Sequence, residues 1–412
     1  MRRRNLFIAI GVLVAVAIAA LIFVFVRSRN STVGEPINNA SNTSSNAQLS
    51  NNSDNTNSNG TNNTTNGNGG TTDKGPIVKK IISSKVLSPT LNGGSNALIF
   101  FNVASNQFYS AAIDGSNPQA LTQTKFVNVS DVKISPARTT AILSFPNPNG
   151  KVPIKYYYDL TKDLAVKLNE NLDTFTFSPD GAKLFYKYTD VLKNVNTFNL
   201  SNANGTDWKA IKNFSISNVL LDWIPGQAGK LAFHLTPSSF RQSAYYVFDQ
   251  NGENVVSVLD KGYGVDGLWS NNGQRLLATF ALQRTTNLGL VAVNLDGSGN
   301  ISIPNSRTFI QKCVWMKDNI SVICAVPKTL DPRYFLPDDY NNGNFSTDDD
   351  FFRFNTKTGE HIQLKLQAAN DKTDIPKIDA SNLFLSSDEL TLYFVNKADG
   401  QTLYRVRLDE AF

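Results

Sequence analysis

The chain has 412 residues and a mass of 45.2 kDa. Its 39 basic and 34 acidic side chains give a net +5, but six basic and three acidic ones fall in the first 76 residues, so the remainder carries 33 against 31. A body that near neutrality lacks the charge to neutralise many phosphates, which argues against a nucleic-acid partner. Two His and two Cys exclude a zinc ribbon, a three-histidine metal centre and a disulfide-stapled mini-domain.

Residues 1–5 hold Arg2, Arg3 and Arg4 and read as a short cytoplasmic terminus. Leu6 to Val26 follows, 21 residues without a charge. As a helix at about 1.5 Å per residue it matches a bilayer core of about 30 Å. The apolar run is longer than a signal peptide's core, and small-x-small candidates such as Ala17-Ile18-Ala19 lie inside it, so an uncleaved anchor in the lipid bilayer is expected. The basic flank predicts the N-terminus inside and the rest outside the cytoplasmic membrane. Residues 27–76 are rich in Asn, Ser, Thr and Gly; 13 of the 31 positions from Asn38 to Asn68 are Asn. Such a stretch buries too little apolar surface to offset its chain entropy and is expected to be a disordered linker.

From residue 77 to 412 the texture is all-β: short β-branched and aromatic runs alternate with Gly, Asn, Asp and Pro turns. One signature recurs, in which an apolar residue ends a strand before a tight turn. Phe177, Trp223, Trp269 and Trp315 mark it at spacings of 46, 46 and 46. Weaker copies end at Leu91, Ile134 and Leu385. A second turn signal follows the third strand of a period, at Asp114-Gly115, Asn204-Gly205, Asn251-Gly252, Asp296-Gly297 and Thr358-Gly359. Four short strands per 40–46 residues is a propeller-blade pattern. About seven blades fit; six or eight also fit, because the first and last periods are degenerate. The last period lacks a fourth strand, and Ile77 to Val86 is expected to supply it and close the ring. The recurring aromatics are expected to be packing residues.

Ser178-Pro179-Asp180-Gly181-Ala182-Lys183-Leu184 resembles the repeat of TolB-like, WD40-type β-propellers, where this turn joins the first two strands of a blade. The resemblance covers residues 77–412. With anchor and linker, the whole looks like membrane-anchored propellers of bacterial envelopes. It implies a binding scaffold for an envelope protein or wall component, and not a reaction.

Chemistry, if any, is expected in the sixth period, which is longer by 24 residues near Lys328 to Asp350. Tyr334, Phe335, Asp338, Asp339, Tyr340, Asp348, Asp349 and Asp350 make it a candidate partner-binding loop, with a solvated loop as the plain alternative. A calcium site on Asp339 and Asn341 is a further option, though its match to a calcium loop is poor. Cys313 and Cys324 flank a hairpin around Asp318-Asn319 and face each other if those two form its turn. A disulfide and two buried thiols are both open readings, and a two-residue turn would put the pair in the wider, hydrogen-bonded class. No Gly-x-Ser-x-Gly elbow occurs, so a serine hydrolase has no nucleophile signature. The chain therefore reads as non-catalytic and without a cofactor. The alternative is a glycan-binding or glycan-active protein that uses the acidic and aromatic residues of the long loop.

Overall fold

The second strand of each period is an unbroken apolar run, as in Leu98 to Phe101 or Val322 to Val326. A strand reads that way when both its faces are covered. In the computed structural model these strands are the most buried elements, whereas the fourth strands Leu164–Lys167 and His361–Gln363 are exposed throughout. The structure describes residues 78–93, 97–150, 152–281, 288–367 and 375–408. These lie in the compact unit Gly70–Phe412. The apolar run Leu6 to Val26 and the Asn-rich linker lie outside the described residues. Among the described residues no helix is long and apolar enough to cross a membrane.

The strands form antiparallel meanders. The first blade is Val86–Leu91, Ala97–Asn102, Gln107–Ala112 and Gln119–Ala120; the second is Asp131–Ile134, Thr140–Phe145, Ile154–Asp159 and Leu164–Lys167. The third is Leu172–Phe177, Lys183–Asp190, Val195–Asn202 and Lys209–Asn213. The fourth starts with Val219–Trp223, Lys230–Leu235 and Gln242–Asp249. Its outer strand continues without a break into the inner strand of the fifth, as Val256–Trp269, so these two blades share one seven-stranded sheet. Arg275–Ala281, Gly289–Asn294 and Ile301–Ile303 complete the fifth. The sixth is Cys313–Trp315, Ser321–Pro327, Asp349–Asn355 and His361–Gln363.

The seventh blade is Ala380–Leu385, Thr391–Asn396 and Thr402–Arg407, and its fourth strand is Lys79–Ile82 from the front of the chain. The expected donor segment is shorter than Ile77 to Val86, because Val86 already begins the first blade. Seven apolar clusters lie between successive blades. The last packs Tyr393, Val395 and Leu403 of the seventh blade against Leu98, Phe100 and Ala111 of the first. A continuous ring of interfaces leaves no blade with a bare face.

Every repeat aromatic ends an inner strand. Phe177, Trp269 and Trp315 are buried; Trp223 is only half-buried. The turn after Phe177 has a side-chain cause. Ser178 Oγ bonds Asp180 at 2.5 Å and accepts from the Lys183 N–H at 2.9 Å. The degenerate copies keep this geometry with Ser270 and Asn272, and with Ser386 and Asp388. The glycines of the second turn signal have φ between 78° and 84°. At Gly115 a Cβ would also lie 2.2 Å from the Ile81 carbonyl oxygen, so only glycine fits.

Candidate functional site

The sixth-blade insertion is a folded element, and this overturns the solvated-loop reading. It lies between the second and third strands of its blade. Leu336 and Tyr340 are fully buried with Ala281, Leu288 and Phe309, and Tyr334 stacks on Phe345 at 4.5 Å. Asp338 reaches the fourth blade, accepting from Ser238 Oγ at 2.8 Å and from the Ser239 N–H at 2.6 Å. Asp339 accepts from the Phe335 N–H and the Asn344 amide, both at 2.6 Å. The carboxylate on which a calcium site would draw is thus bonded to its own loop. Among the described residues no three His, Cys, Asp or Glu side chains converge as metal ligands.

The other end of the insertion is pinned by Lys312, which is fully buried. Its ammonium reaches Asp349 Oδ2 at 2.6 Å, Asp379 Oδ1 at 2.8 Å, Thr347 Oγ1 at 2.9 Å and the Ala380 carbonyl at 3.0 Å. Tyr340 donates to the same Asp379 oxygen at 2.5 Å. Burial pushes the Asp349 carboxyl up, against the pull of Lys312. Burial acts on Asp379 too, but Lys312 and the Tyr340 hydroxyl outweigh it and hold that carboxyl below its usual value. The cluster ties the insertion to the inner strand of the seventh blade.

The predicted acidic and aromatic residues therefore do not form one exposed set. Tyr340 and Asp349 point inward, and Asp338 serves as an anchor. Asp348 and Asp350 flank Lys328 at 3.0 and 3.8 Å, in half-exposed pairs worth little. Phe335 is 40 % exposed and sits beside Phe240 of the fourth blade, itself 52 % exposed, with ring centroids 5.1 Å apart.

Two more buried lysines bridge blades. Lys187 donates to the Ile216 carbonyl at 2.7 Å, ahead of the fourth blade, and Lys155 to the Leu172 carbonyl at 2.9 Å in the third. Desolvation pushes Lys155 down to about 8 from 10.5. A lowered folded-state value means that the unfolded chain holds the proton more tightly. The penalty is complete below pH 8 and is relieved as pH rises from about 8 to 10.5. Stability relative to a Lys155→Met variant is expected to rise across that window by up to ~3 kcal/mol. Urea unfolding of both proteins at pH 7.5 and 10.5 checks this; an unchanged difference would mean that the ammonium is well solvated.

A second constellation was not visible in the sequence. It lies in the fourth and fifth blades, with Asp222 and Asp266 on their inner strands and His234 and Tyr245 on the second and third strands of the fourth. His234 is buried; its Nδ1 lies 3.0 Å from the Leu235 carbonyl, and its Nε2 lies 3.6 Å from Asp266 Oδ1. A carbonyl only accepts, so Nδ1 carries the hydrogen and Nε2 faces the carboxyl group. The imidazole stacks on fully buried Tyr245 at 4.7 Å, and the Tyr245 hydroxyl donates to Asp222. Desolvation raises both Asp222 and Asp266, and the Asp222 charge adds to the effect on Asp266. A cavity of about 310 Å³ is lined by Ser88, Asp131, Lys133 and Asn382 of the first, second and seventh blades. A larger one, about 630 Å³, opens at the turns of the fifth and sixth blades and is lined by Asn272, Arg275, Asn319 and Lys357. It touches neither the insertion nor the His234 constellation.

Cys313 and Cys324 face each other and are joined in a disulfide. Their pairing class differs from the expected one. The Met316 N–H donates to the Ser321 carbonyl at 2.9 Å, so the turn spans four residues and not two, and the hydrogen-bonded pairs shift by one place. The cysteines then fall in the narrow, non-hydrogen-bonded class, with Cα atoms 4.1 Å apart.

No family model matches the chain, and no curated protein matches it in sequence. Solved structures do. Oligogalacturonate lyase from Vibrio parahaemolyticus superposes with a TM-score of 0.54 at 11 % identity, over 81 % of this chain and 91 % of that one. The tricorn protease gives 0.53 at 11 % identity, over 82 % of this chain and 34 % of that one. TolB from Acinetobacter baumannii gives 0.42 at 13 % identity, over 69 % of this chain and 64 % of that one. At these identities the likeness is one of fold: the chain is a β-propeller.

Proposed function

We propose that this propeller is a membrane-tethered, extracytoplasmic binding module that recognises an envelope protein through the face carrying the sixth-blade insertion. The observation that carries this reading is the pinned insertion. Held by Lys312 at one end and by Asp338 at the other, it sets Phe335 beside Phe240 on a preformed surface. Rigid exposed aromatics lose little entropy when covered and are frequent anchors of interfaces. The disulfide is consistent with an oxidising compartment, and the apolar run Leu6 to Val26 with a tether in the cytoplasmic membrane.

The test is a crosslinking pull-down from intact cells with the full chain and a Phe240→Ser, Phe335→Ser variant. Both side chains are exposed, so the variant should fold within about 1 kcal/mol of the parent. One envelope protein recovered with the parent, and at least tenfold less with the variant, is the expected result. Equal recovery would remove the insertion face from the interaction.

A further inference from the structure

We propose that Lys312 and Asp349 condense inside the folded chain to an amide, a self-made cross-link that fixes the end of the sixth-blade insertion to the turn opening that blade, with Asp379 as the base. The link does not depend on what the insertion surface recognises.

Three elements bring the groups together. Lys312 ends the turn Ile310–Lys312, Asp349 opens the strand Asp349–Asn355, and Asp379 directly precedes the strand Ala380–Leu385. Lys312 Nζ lies 2.6 Å from Asp349 Oδ2 and 2.8 Å from Asp379 Oδ1, and none of the three side chains is more than 2 % exposed. An amine held against a carboxyl group has already lost the freedom that makes such a condensation slow in solution. Fixed intramolecular geometry of this kind is worth an effective concentration of about 10⁵–10⁸ M. Dryness acts in the same direction, because it disfavours the charged partners and excludes competing water. The Ala380 N–H donates to Asp349 Oδ2 at 2.8 Å, on an oxygen that gathers negative charge as nitrogen adds to the carbon.

The charges of the cluster permit the step. Lys397 Nζ sits 4.0 Å from the centre of the Tyr340 ring, and its charge acts on Asp379 and Asp349. When Lys312 gives one proton to Asp349, Lys397 and Asp379 remain as one cation and one anion. Burial already raises Asp349, the carboxyl that must be neutral, while Asp379 stays below its usual value and is ready to accept a proton. The Lys312 amine then attacks Asp349 Cγ with its lone pair. As the N–Cγ bond forms, the nitrogen gives a second proton to Asp379, which lies within general-base reach. The Thr347 hydroxyl, 2.9 Å from Nζ and 3.0 Å from Asp379 Oδ1, keeps that base beside the nitrogen. Asp379 returns the proton to the hydroxyl on Cγ, the Cγ–O bond breaks with its electron pair on oxygen, and one water leaves. An ammonium and a carboxylate have become an amide and water, with no oxidant and no cofactor.

The experiment is mass spectrometry of a tryptic digest of the full chain, purified in detergent and reduced before digestion. Cleavage after Arg307, Lys317, Arg333 and Arg353 releases residues 308–317 and 334–353. The expected product is one branched peptide that joins the two, is lighter than their sum by one water and resists trypsin at Lys312, with fragments that place the bond between Lys312 and Asp349. Lys312→Arg keeps a cation but has no amine to acylate, and should give no branch. Asp379→Asn should lower the branched fraction at least tenfold. Tyr340→Phe disturbs the same carboxylate but keeps the base, and should retain the branch, which separates a lost base from loosened packing. Cleavage of the parent at Lys312 with no branch, a water lost within one peptide alone, or a bond from Lys312 to another residue would overturn the proposal. An unchanged branch in Asp379→Asn, or its equal loss in Tyr340→Phe, would overturn the role of Asp379.

Discussion

A Lys312→Met substitution is expected to cost about 3–5 kcal/mol of folding free energy, the range for breaking a buried ion pair from one side. The side chain and both its carboxylate partners are almost fully excluded from solvent. Methionine roughly fills the volume but leaves Asp349 and Asp379 without the ammonium that bonds both, and the charge of Lys397 acts on them without an ion pair. One of them must take up a proton or draw in water. Asp349 is the candidate, since burial already raises it. Because the cluster joins the insertion to the seventh blade, the variant should also expose the segment around Leu336 and Tyr340 to protease at protein concentrations where the parent resists. Urea unfolding at pH 7 reads the first effect and limited proteolysis the second. A loss below 1 kcal/mol would mean that the cluster is hydrated.

Removal of the closing strand is the other change with a large expected effect. A chain that starts at Val86 lacks Lys79–Ile82 and leaves the edge of Thr402–Arg407 unpaired. It also loses Val78 and Ile82, both buried. Two such aliphatic side chains contribute roughly 3–6 kcal/mol before the strand's hydrogen bonds are considered. The bared edge adds a route to association. A chain that starts at Ile77 should unfold in urea as the parent does. The one that starts at Val86 should unfold at clearly lower urea and elute partly as oligomers. Equal midpoints would show that the ring does not depend on this strand.

Much of the fold was legible because each blade repeats one turn. Leu91, Ile134, Phe177, Trp223, Trp269, Trp315 and Leu385 each end an inner strand, and the Gly residues of the second signal take the positive φ that their turns need. The cysteine hairpin was read in the right register but with the wrong turn length, because Asp318-Asn319 looks the same in a two-residue and a four-residue turn. The insertion has no second copy against which to compare it. Nothing local shows that Tyr340 packs on Phe309 at 4.2 Å while Phe335, five residues before it, stays exposed. The central constellation depends on pairing between blades, which brings His234 to Asp266 across 32 positions of sequence. One signal could have pointed to it. Counted back three places from the repeat residue stand Asp131 and Asp266 on inner strands and Lys312 in the 3-10 turn just before one, charged side chains where a sealed core would have none.

The central claim is that the insertion face is a recognition surface. Its most direct test is a photoreactive phenylalanine analogue at position 335 of the full chain, activated in intact cells. The same analogue at Leu164, 54 % exposed on the outer strand of the second blade, is the control. One discrete adduct from position 335 and none from position 164 is the result predicted. No adduct from 335, or the same adducts from both positions, would contradict it.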